Sequence, residues 1–139
     1  MDDGVMLDFR SPCAQYSLVF EDDGKVAYAY LKQAGAIVGD LWLYNRCPAP
    51  PDPEWHDRTR IPFALSRAYL AEGGTLSRAV GATDVLVKWA YEGETPVAYV
   101  YVFEDLLGVV GFGDKPGYAR YAVKDSRLAR VMQIDESGA

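Results

Sequence analysis

Apolar and polar residues alternate in two stretches of the chain that resemble each other. The segment Val26-Ala27-Tyr28-Ala29-Tyr30 recurs 71 positions later as Val97-Ala98-Tyr99-Val100-Tyr101, and each copy follows an acidic, glycine-containing turn. Alternation with a period of two is typical of a β-strand that has one face in the core. The pattern therefore predicts two similar β-hairpins, each with a pair of tyrosines on the less apolar face of its sheet.

The residue types also predict how the strands of each hairpin pair. Asp23-Gly24 favours a two-residue turn, which places Phe20 opposite Ala27. The acidic loop of the second hairpin sets Tyr91 opposite Pro96. In both registers one face is wholly apolar and the other carries the tyrosines, so we expect the apolar faces to form the core.

Each hairpin is followed by a further strand-like run, from Ala36 to Asn45 in the first half and from Leu106 to Phe112 in the second. The repeating unit thus looks like a three-strand meander that is used twice, at residues 15–45 and 84–113. The alternative is a chance similarity, because small residues alternating with tyrosine suit many sheets.

Between the two halves lies a proline-rich segment, residues 47–60. Proline lacks a backbone donor and is excluded from regular helices and central strands, so this segment predicts a loop. In residues 61–72, which follow, apolar residues recur at helical spacing, and Gly73-Gly74 ends the pattern. We therefore predict one principal helix at residues 61–72 that crosses a face of the sheet.

These elements predict a single domain over residues 1–139 with an α+β fold. Its core would be a mainly antiparallel sheet of about six strands, with the principal helix on one face. A chain of 139 residues is long enough to bury such a core without disulfides or metals. A wholly β alternative requires residues 61–72 to be extended.

Charge narrows the range of partners. The net charge of −6 and the pI near 4.7 argue against nucleic-acid binding, which needs clustered Lys and Arg, and are more compatible with a basic protein partner. The segment from Met1 to Gly4 carries no basic leader, and no run of about 18 apolar residues occurs, so we expect no export signal, no membrane span and a cytoplasmic location. In that compartment we expect Cys13 and Cys47 to be free thiols.

The sequence offers few residues for catalysis. His56 is the only histidine, which excludes a metal site or a proton relay that needs two imidazoles. Neither cysteine lies in a nucleophile motif, and the glycine-rich run at residues 108–113 lacks the spacing and the following helix of a phosphate-binding loop. We therefore predict no catalytic residue, no metal site and no cofactor, and no motif in the chain resembles that of a known family.

The favoured function is a non-enzymatic protein-binding module, an acidic adaptor or neutraliser that masks a basic partner as toxin-immunity proteins do. The chain contains 10 tyrosines, and tyrosine is enriched at protein interfaces. If the hairpins share a sheet, their acidic tips would form a negative rim around the tyrosines. The alternative to an interface is that these tyrosines pack under the helix at residues 61–72. The candidate partner-binding residues are Tyr28, Tyr30, Tyr99, Tyr101, Glu21, Asp22, Asp23, Glu92 and Glu94.

Two other functions stay open. The first is a small-molecule-binding protein or an enzyme with a pocket between the sheet and the proline-rich loop, lined by His56, Asp40, Trp42 and Trp55. Strand alternation puts Asp40 on the same face as Trp42, and a carboxylate among aromatic rings often has a perturbed pKa. The second is a structural homodimer, which a self-complementary apolar patch would indicate.

Overall fold

The computed structural model describes residues 4–133, so residues 1–3 of the N-terminal segment considered above, and residues 134–139, lie outside it. The described chain forms nine β-strands in two sheets, the first with four strands in sequence order and the second with five. The strands are β1 (Val5–Arg10), β2 (Tyr16–Asp22), β3 (Val26–Gln33), β4 (Ala36–Asn45), β5 (Val85–Glu92), β6 (Thr95–Val102), β7 (Asp105–Gly111), β8 (Tyr118–Ala119) and β9 (Arg130–Val131). All neighbouring strands are antiparallel except β8 and β9.

Residues 4–133 contain no α-helix, and their helical turns are three short 3₁₀ segments: Arg58–Arg60, Arg67–Tyr69 and Ala82–Asp84. The prediction of an α+β fold with a principal helix at residues 61–72 is therefore wrong, as is the prediction of one sheet. None of these described helical turns has the length and apolar character needed to cross a membrane.

Residues 61–66 are extended, and only Arg67–Tyr69 forms a helical turn, because buried polar side chains bind the backbone of this segment. Asn45, the last residue of β4, accepts a hydrogen bond from the Leu65 amide at 2.9 Å and donates one to the Leu65 carbonyl at 2.9 Å. The Glu54 carboxylate accepts a bond from the Ala64 amide at 2.9 Å. Three consecutive residues here are buried: Ala64, Leu65 and Ser66. One face of a surface helix cannot bury three residues in a row, so contact with the first sheet overrides the helical spacing.

The predicted register of the second hairpin is confirmed, since Tyr91 lies opposite Pro96 in the β5–β6 ladder. The predicted register of the first hairpin is wrong by two residues: Phe20 lies opposite Ala29 rather than Ala27. The turn of this hairpin is centred on Gly24-Lys25, one position later than predicted. Because the partner moves by two residues, every side chain keeps its predicted face.

Two carboxylates explain the later turn. Asp22 accepts a hydrogen bond from the Gly24 amide at 2.9 Å. Asp23 accepts bonds from the amides of Lys25 at 2.9 Å and Val26 at 3.0 Å. Aspartate side chains that bind the backbone in this way stabilise turns, and here they select the turn that follows them.

Both predicted three-strand meanders are present, as β2–β3–β4 and β5–β6–β7. The tight turns before their third strands are alike, because both turn residues have positive φ in each: 51° and 85° at Ala34-Gly35, 50° and 72° at Phe103-Glu104. Two positive φ angles give a turn whose twist matches that of the flanking strands. Only Gly35 of the four residues adopts this conformation without strain.

The two sheets face each other across one hydrophobic core, to which both contribute their inward side chains. The sheets approach most closely between β4 and β7, where a β-carbon at Gly39 would lie 2.8 Å from the Gly111 carbonyl oxygen. The outer edge of β4 also bonds to the C-terminal part of the chain. Asp40 donates its amide to the Asp114 carbonyl at 2.9 Å, and Trp42 donates to the Leu128 carbonyl at 2.9 Å. The sandwich is therefore closed on the β4 side.

Candidate functional site

The two tyrosine pairs lie on opposite outer faces of the sandwich. Tyr28 and Tyr30 point outward from the first sheet, and Tyr99 and Tyr101 point outward from the second, while the residues between them enter the shared core. The acidic rim around four tyrosines, which required a shared sheet, therefore does not form. Each tyrosine pair therefore has its own set of neighbouring residues.

The first pair is a stacked one. The rings of Tyr28 and Tyr30 are nearly parallel, at an interplanar angle of 8°, and their centroids are 5.9 Å apart. The Tyr28 hydroxyl donates a hydrogen bond to the Phe63 carbonyl at 2.7 Å. The segment expected to be a helix thus does cross this tyrosine face, but as an extended chain, and it leaves Tyr30 half-exposed.

Beside the stacked rings is a cleft of about 230 Å³, which we call the tyrosine cleft. Its floor is aromatic, one wall carries carboxylates, and the other wall is apolar and includes Ile61, whose side chain is 62% exposed. The lining residues are Glu21, Asp23, Val26, Tyr28, Tyr30, Ile61 and Pro62.

The cleft has a negative electrostatic environment. Burial, together with the nearby carboxylates of Glu21, Asp40 and Asp23, raises the pKa of Tyr30 to about 12. Asp40 lies directly opposite Tyr30 in the β3–β4 ladder, and burial raises its pKa too, against the opposing effect of Lys115. Three carboxylates therefore act on one tyrosine hydroxyl, and a positive charge placed there would be stabilised by all three.

A lysine holds the apolar wall of the cleft in place. The ammonium group of Lys25 donates to the Glu54 carboxylate at 3.1 Å, to the Arg60 carbonyl at 2.7 Å and to the Pro62 carbonyl at 3.0 Å. An ammonium group has three N–H donors, so this cation is fully engaged. Glu54 is itself buried and balances the Lys25 charge. The Lys25 ammonium group is thus bound to the wall and is not available to neutralise the carboxylates of the cleft.

The second tyrosine pair lies on a face where cations, rather than carboxylates, contact aromatic rings. The Lys88 ammonium lies 5.0 Å from the centroid of the Tyr101 ring, and the Arg130 guanidinium lies 4.2 Å from that of Tyr118 on the same outer face. Tyr99 and Tyr101 are half-exposed, and no covering segment binds their hydroxyls in residues 4–133. Glu92 and Glu94 are exposed at the hairpin tip of this sheet.

Asp22 is placed differently from the other acidic candidates, because its side chain is fully buried. The Tyr44 hydroxyl donates to the Asp22 carboxylate at 2.7 Å, and Arg46 forms an ion pair with it at 3.1 Å. Its carboxylate is therefore not available to a partner. The sequence did contain the signal: alternation puts Asp22 on the same inward face as Phe20.

The residues of the alternative pocket do not converge. His56 is exposed and contacts the neighbouring Trp55 ring at a centroid distance of 6.3 Å. Trp42 is buried, and its indole N–H donates to Asn45 at 2.9 Å. Asp40 belongs to the surroundings of the tyrosine cleft. A cleft of about 270 Å³ does exist in the proline-rich segment, but it is lined by other residues: Pro50, Pro51, Asp52, Pro53, Glu54, Asp57 and Arg60.

Across residues 4–133, no group of three or more His, Cys, Asp or Glu side chains is arranged to hold a metal ion. Comparison of the chain with models of known protein families, with curated proteins and with solved structures finds no match.

Proposed function

We propose that this chain is a non-enzymatic protein-binding module whose tyrosine cleft accepts a lysine or arginine side chain of a basic protein partner. The observation that carries the proposal is the position of two stacked tyrosines beside the carboxylates of Glu21, Asp23 and Asp40. As an acidic adaptor or neutraliser, the chain would bind such a partner by inserting one of the partner's cationic side chains between the carboxylates and the rings.

The cleft has the parts that a long cationic side chain needs. Aromatic faces attract ammonium and guanidinium groups, and carboxylates bind them with charge-assisted hydrogen bonds. The exposed side chain of Ile61 offers apolar surface for the methylene stem of the guest. The net charge of −6 would also attract a basic partner over longer distances.

The size of the cleft favours one side chain over a small-molecule ligand. Pockets for drug-sized ligands occupy about 300–1,000 Å³, whereas the tyrosine cleft measures about 230 Å³. The exposed position of His56, whose ring contacts that of Trp55, also gives little support to an enzyme built on this histidine.

Titration with short peptides, followed by two-dimensional NMR of the labelled protein, tests the proposal. We expect acetyl-Gly-Arg-Gly-amide to shift the amides of Glu21, Tyr30 and Ile61, and the citrulline analogue, which has the same shape and no charge, to leave them in place. Glu21→Gln and Tyr30→Leu should each weaken binding by about 0.5–1 kcal/mol, the value of one exposed cation–π or ion-pair contact.

The matched control is Glu92→Gln, which removes the same charge from the tip of the other hairpin and should not alter binding. Peptide-induced shifts of amides around Tyr101 would place the binding surface on the second sheet and would contradict the proposal. Equal shifts with arginine and citrulline, or no shift with either, would contradict recognition of a cation. A native partner isolated with the wild-type chain should be basic and should bind the Glu21→Gln variant less well.

A further inference from the structure

β5 is an edge strand of the second sheet, and its contact with the first sheet includes a bond of 3.6 Å from the Tyr91 hydroxyl to the Cys13 thiol in the β1–β2 connection. β5 is the first strand of the second sheet and pairs only with β6 among residues 4–133. Its inward side chains Val87 and Trp89 are only half-buried, and its outward Leu86 is 54% exposed. A strand edge with apolar side chains on both faces is a template for pairing with another chain.

β5 lacks most of the features that protect edge strands. It contains no proline, its ladder with β6 runs without a bulge over eight residues, and its only charged residues are Lys88 and Glu92. β1, the free edge of the first sheet, likewise carries two exposed charged residues, Asp8 and Arg10, but it is six residues long where β5 has eight. The β5 edge is therefore the one that more clearly needs a cover.

The hairpin determines which backbone groups of β5 are free. Glu92 and Thr95 flank a two-residue loop. The two residues that flank such a loop form backbone hydrogen bonds with each other. Backbone bonding alternates along a strand, so even-numbered residues of β5 bond to β6. The odd-numbered residues, such as Trp89 and Tyr91, direct their N–H and C=O groups to the free edge.

These rules restrict how two copies can pair edge to edge. When two identical strands pair antiparallel about a two-fold axis, directly opposite residues have their side chains on the same face of the sheet. Opposite residues are therefore both odd-numbered or both even-numbered, and the axis passes between the two copies of one residue. An axis at Lys88 sets two lysines opposite each other, and an axis at Trp89 sets Lys88 opposite Ala90. An axis at Ala90 sets Lys88 of each copy opposite Glu92 of the other, and Trp89 opposite Tyr91; this ladder spans the five residues Lys88–Glu92 and leaves Leu86 and Val87 outside it.

We propose that two copies of this chain associate through antiparallel pairing of their β5 edges, with the two-fold axis at Ala90. In this register both charged residues of β5 find an opposite charge, twice by symmetry. Both aromatic residues find an aromatic partner, and two alanines, which need little space, meet at the axis. Such cross-strand charge and aromatic pairs stabilise antiparallel ladders. None of the residues that line the tyrosine cleft lies in β5, so the inference does not depend on the proposed function.

Light scattering after size-exclusion chromatography, over a range of protein concentrations, tests the proposal. The wild-type chain should approach twice its mass of 15.4 kDa as the concentration rises. Lys88→Glu and Glu92→Lys should each raise the dimer dissociation constant by about tenfold, because two attractive pairs become two repulsive ones. The double variant, in which the charges are exchanged, should restore the wild-type value.

Glu72→Lys, at an exposed residue outside the strands, makes the same charge change as Glu92→Lys and should leave the dimer intact. Circular dichroism of each variant shows whether it has folded, and the double variant guards against misreading a folding defect. A wild-type chain that stays monomeric at every concentration overturns the proposal. So does a dimer that neither single charge reversal weakens.

Discussion

The two tyrosine pairs start from nearly the same pentapeptide and end on surfaces of opposite character. Tyr28 lies opposite Glu21, whereas its counterpart Tyr99 lies opposite Lys88. Tyr30 lies opposite Asp40, whereas its counterpart Tyr101 lies opposite Leu106. The strand itself decides only that the tyrosines point outward. Their cross-strand neighbours decide whether the rings meet carboxylates or cations.

The two faces also differ in whether another segment covers them. Asn45 lies opposite Val26 and binds the backbone of Leu65 with its amide. The corresponding partner of Val97 is Gly111, which has no side chain to hold a covering segment. One amide therefore accounts for much of the difference between a tyrosine face with a walled cleft and an open one.

Replacing Asn45 should have the largest effect on this comparison. In Asn45→Ala, the Leu65 amide and carbonyl and the Trp42 indole N–H all lose their partner, and each buried unsatisfied group costs about 1–3 kcal/mol. We expect the free energy of unfolding in urea to fall by about 3 kcal/mol or more. A loss under about 1 kcal/mol would mean that water replaces the amide and that Asn45 does not hold the segment.

A matched pair of hydroxyl deletions should show a smaller difference. Tyr28→Phe removes the bond to the Phe63 carbonyl and should cost about 1–2 kcal/mol. Tyr99→Phe removes a hydroxyl from the open face and should change stability by less than about 0.5 kcal/mol. Urea unfolding of both variants gives the comparison. Equal costs would show that the covering segment contributes nothing at Tyr28.

Exchanging the residue types at the second turn position of the two meanders tests whether the turns have the same geometry. Glu104 has a φ of 72° and corresponds to Gly35 in the first meander. Glu104→Gly should therefore stabilise the chain by about 1 kcal/mol, and Gly35→Glu should destabilise it by a similar amount, because a β-carbon is strained at positive φ. Thermal unfolding of both variants measures this. Changes of the same sign would argue against a common turn geometry.

A further difference between the two faces should appear in alkaline solution. The pKa of Tyr30 is about 12 in the folded chain, against 10 for a free tyrosine. Between pH 10 and pH 12, Tyr30 is therefore largely ionised in the unfolded chain and still protonated in the folded chain. Stability should consequently fall as the pH rises from 10 to 12, and Tyr30→Phe should reduce that fall. Tyr28 and Tyr44, whose pKa values are also raised by burial, would retain part of it. An unchanged slope in the variant would contradict the burial of the Tyr30 hydroxyl.

Alternation predicted the strands well, because inward and outward positions follow from a period of two whatever the partner strand is. It placed β4 at Ala36–Asn45 and gave the correct register for the second hairpin. It also kept every side chain of the first hairpin on its correct face, although the turn lies one position later. It did not predict β1, because the exposed Met6 interrupts the alternation of apolar and polar residues in Val5–Arg10.

The helix prediction failed where tertiary contacts outweigh local spacing. Nothing within residues 61–72 indicates that the Asn45 amide will bind this backbone, because Asn45 is 20 residues away from Leu65. For the same reason Ile61 and Lys25 were not candidates for the site. Glu21, Tyr28, Tyr30 and Asp40 were candidates, because strand position alone brings them to one face.

The bonds from β4 to Asp114 and Leu128 bear on how the chain folds during synthesis. Apart from Asn45, which bonds to Gly74 and Leu76, the outer edge of β4 bonds only to residues after position 112. Most of this edge is therefore unpaired in the nascent first sheet until those residues have been made. Contacts between such distant segments also slow folding, into the millisecond-to-second range typical of β-sandwiches. During that interval the β4 edge is open to neighbouring nascent chains, and a chaperone that shields extended segments would be of most use to this protein before Leu128 emerges.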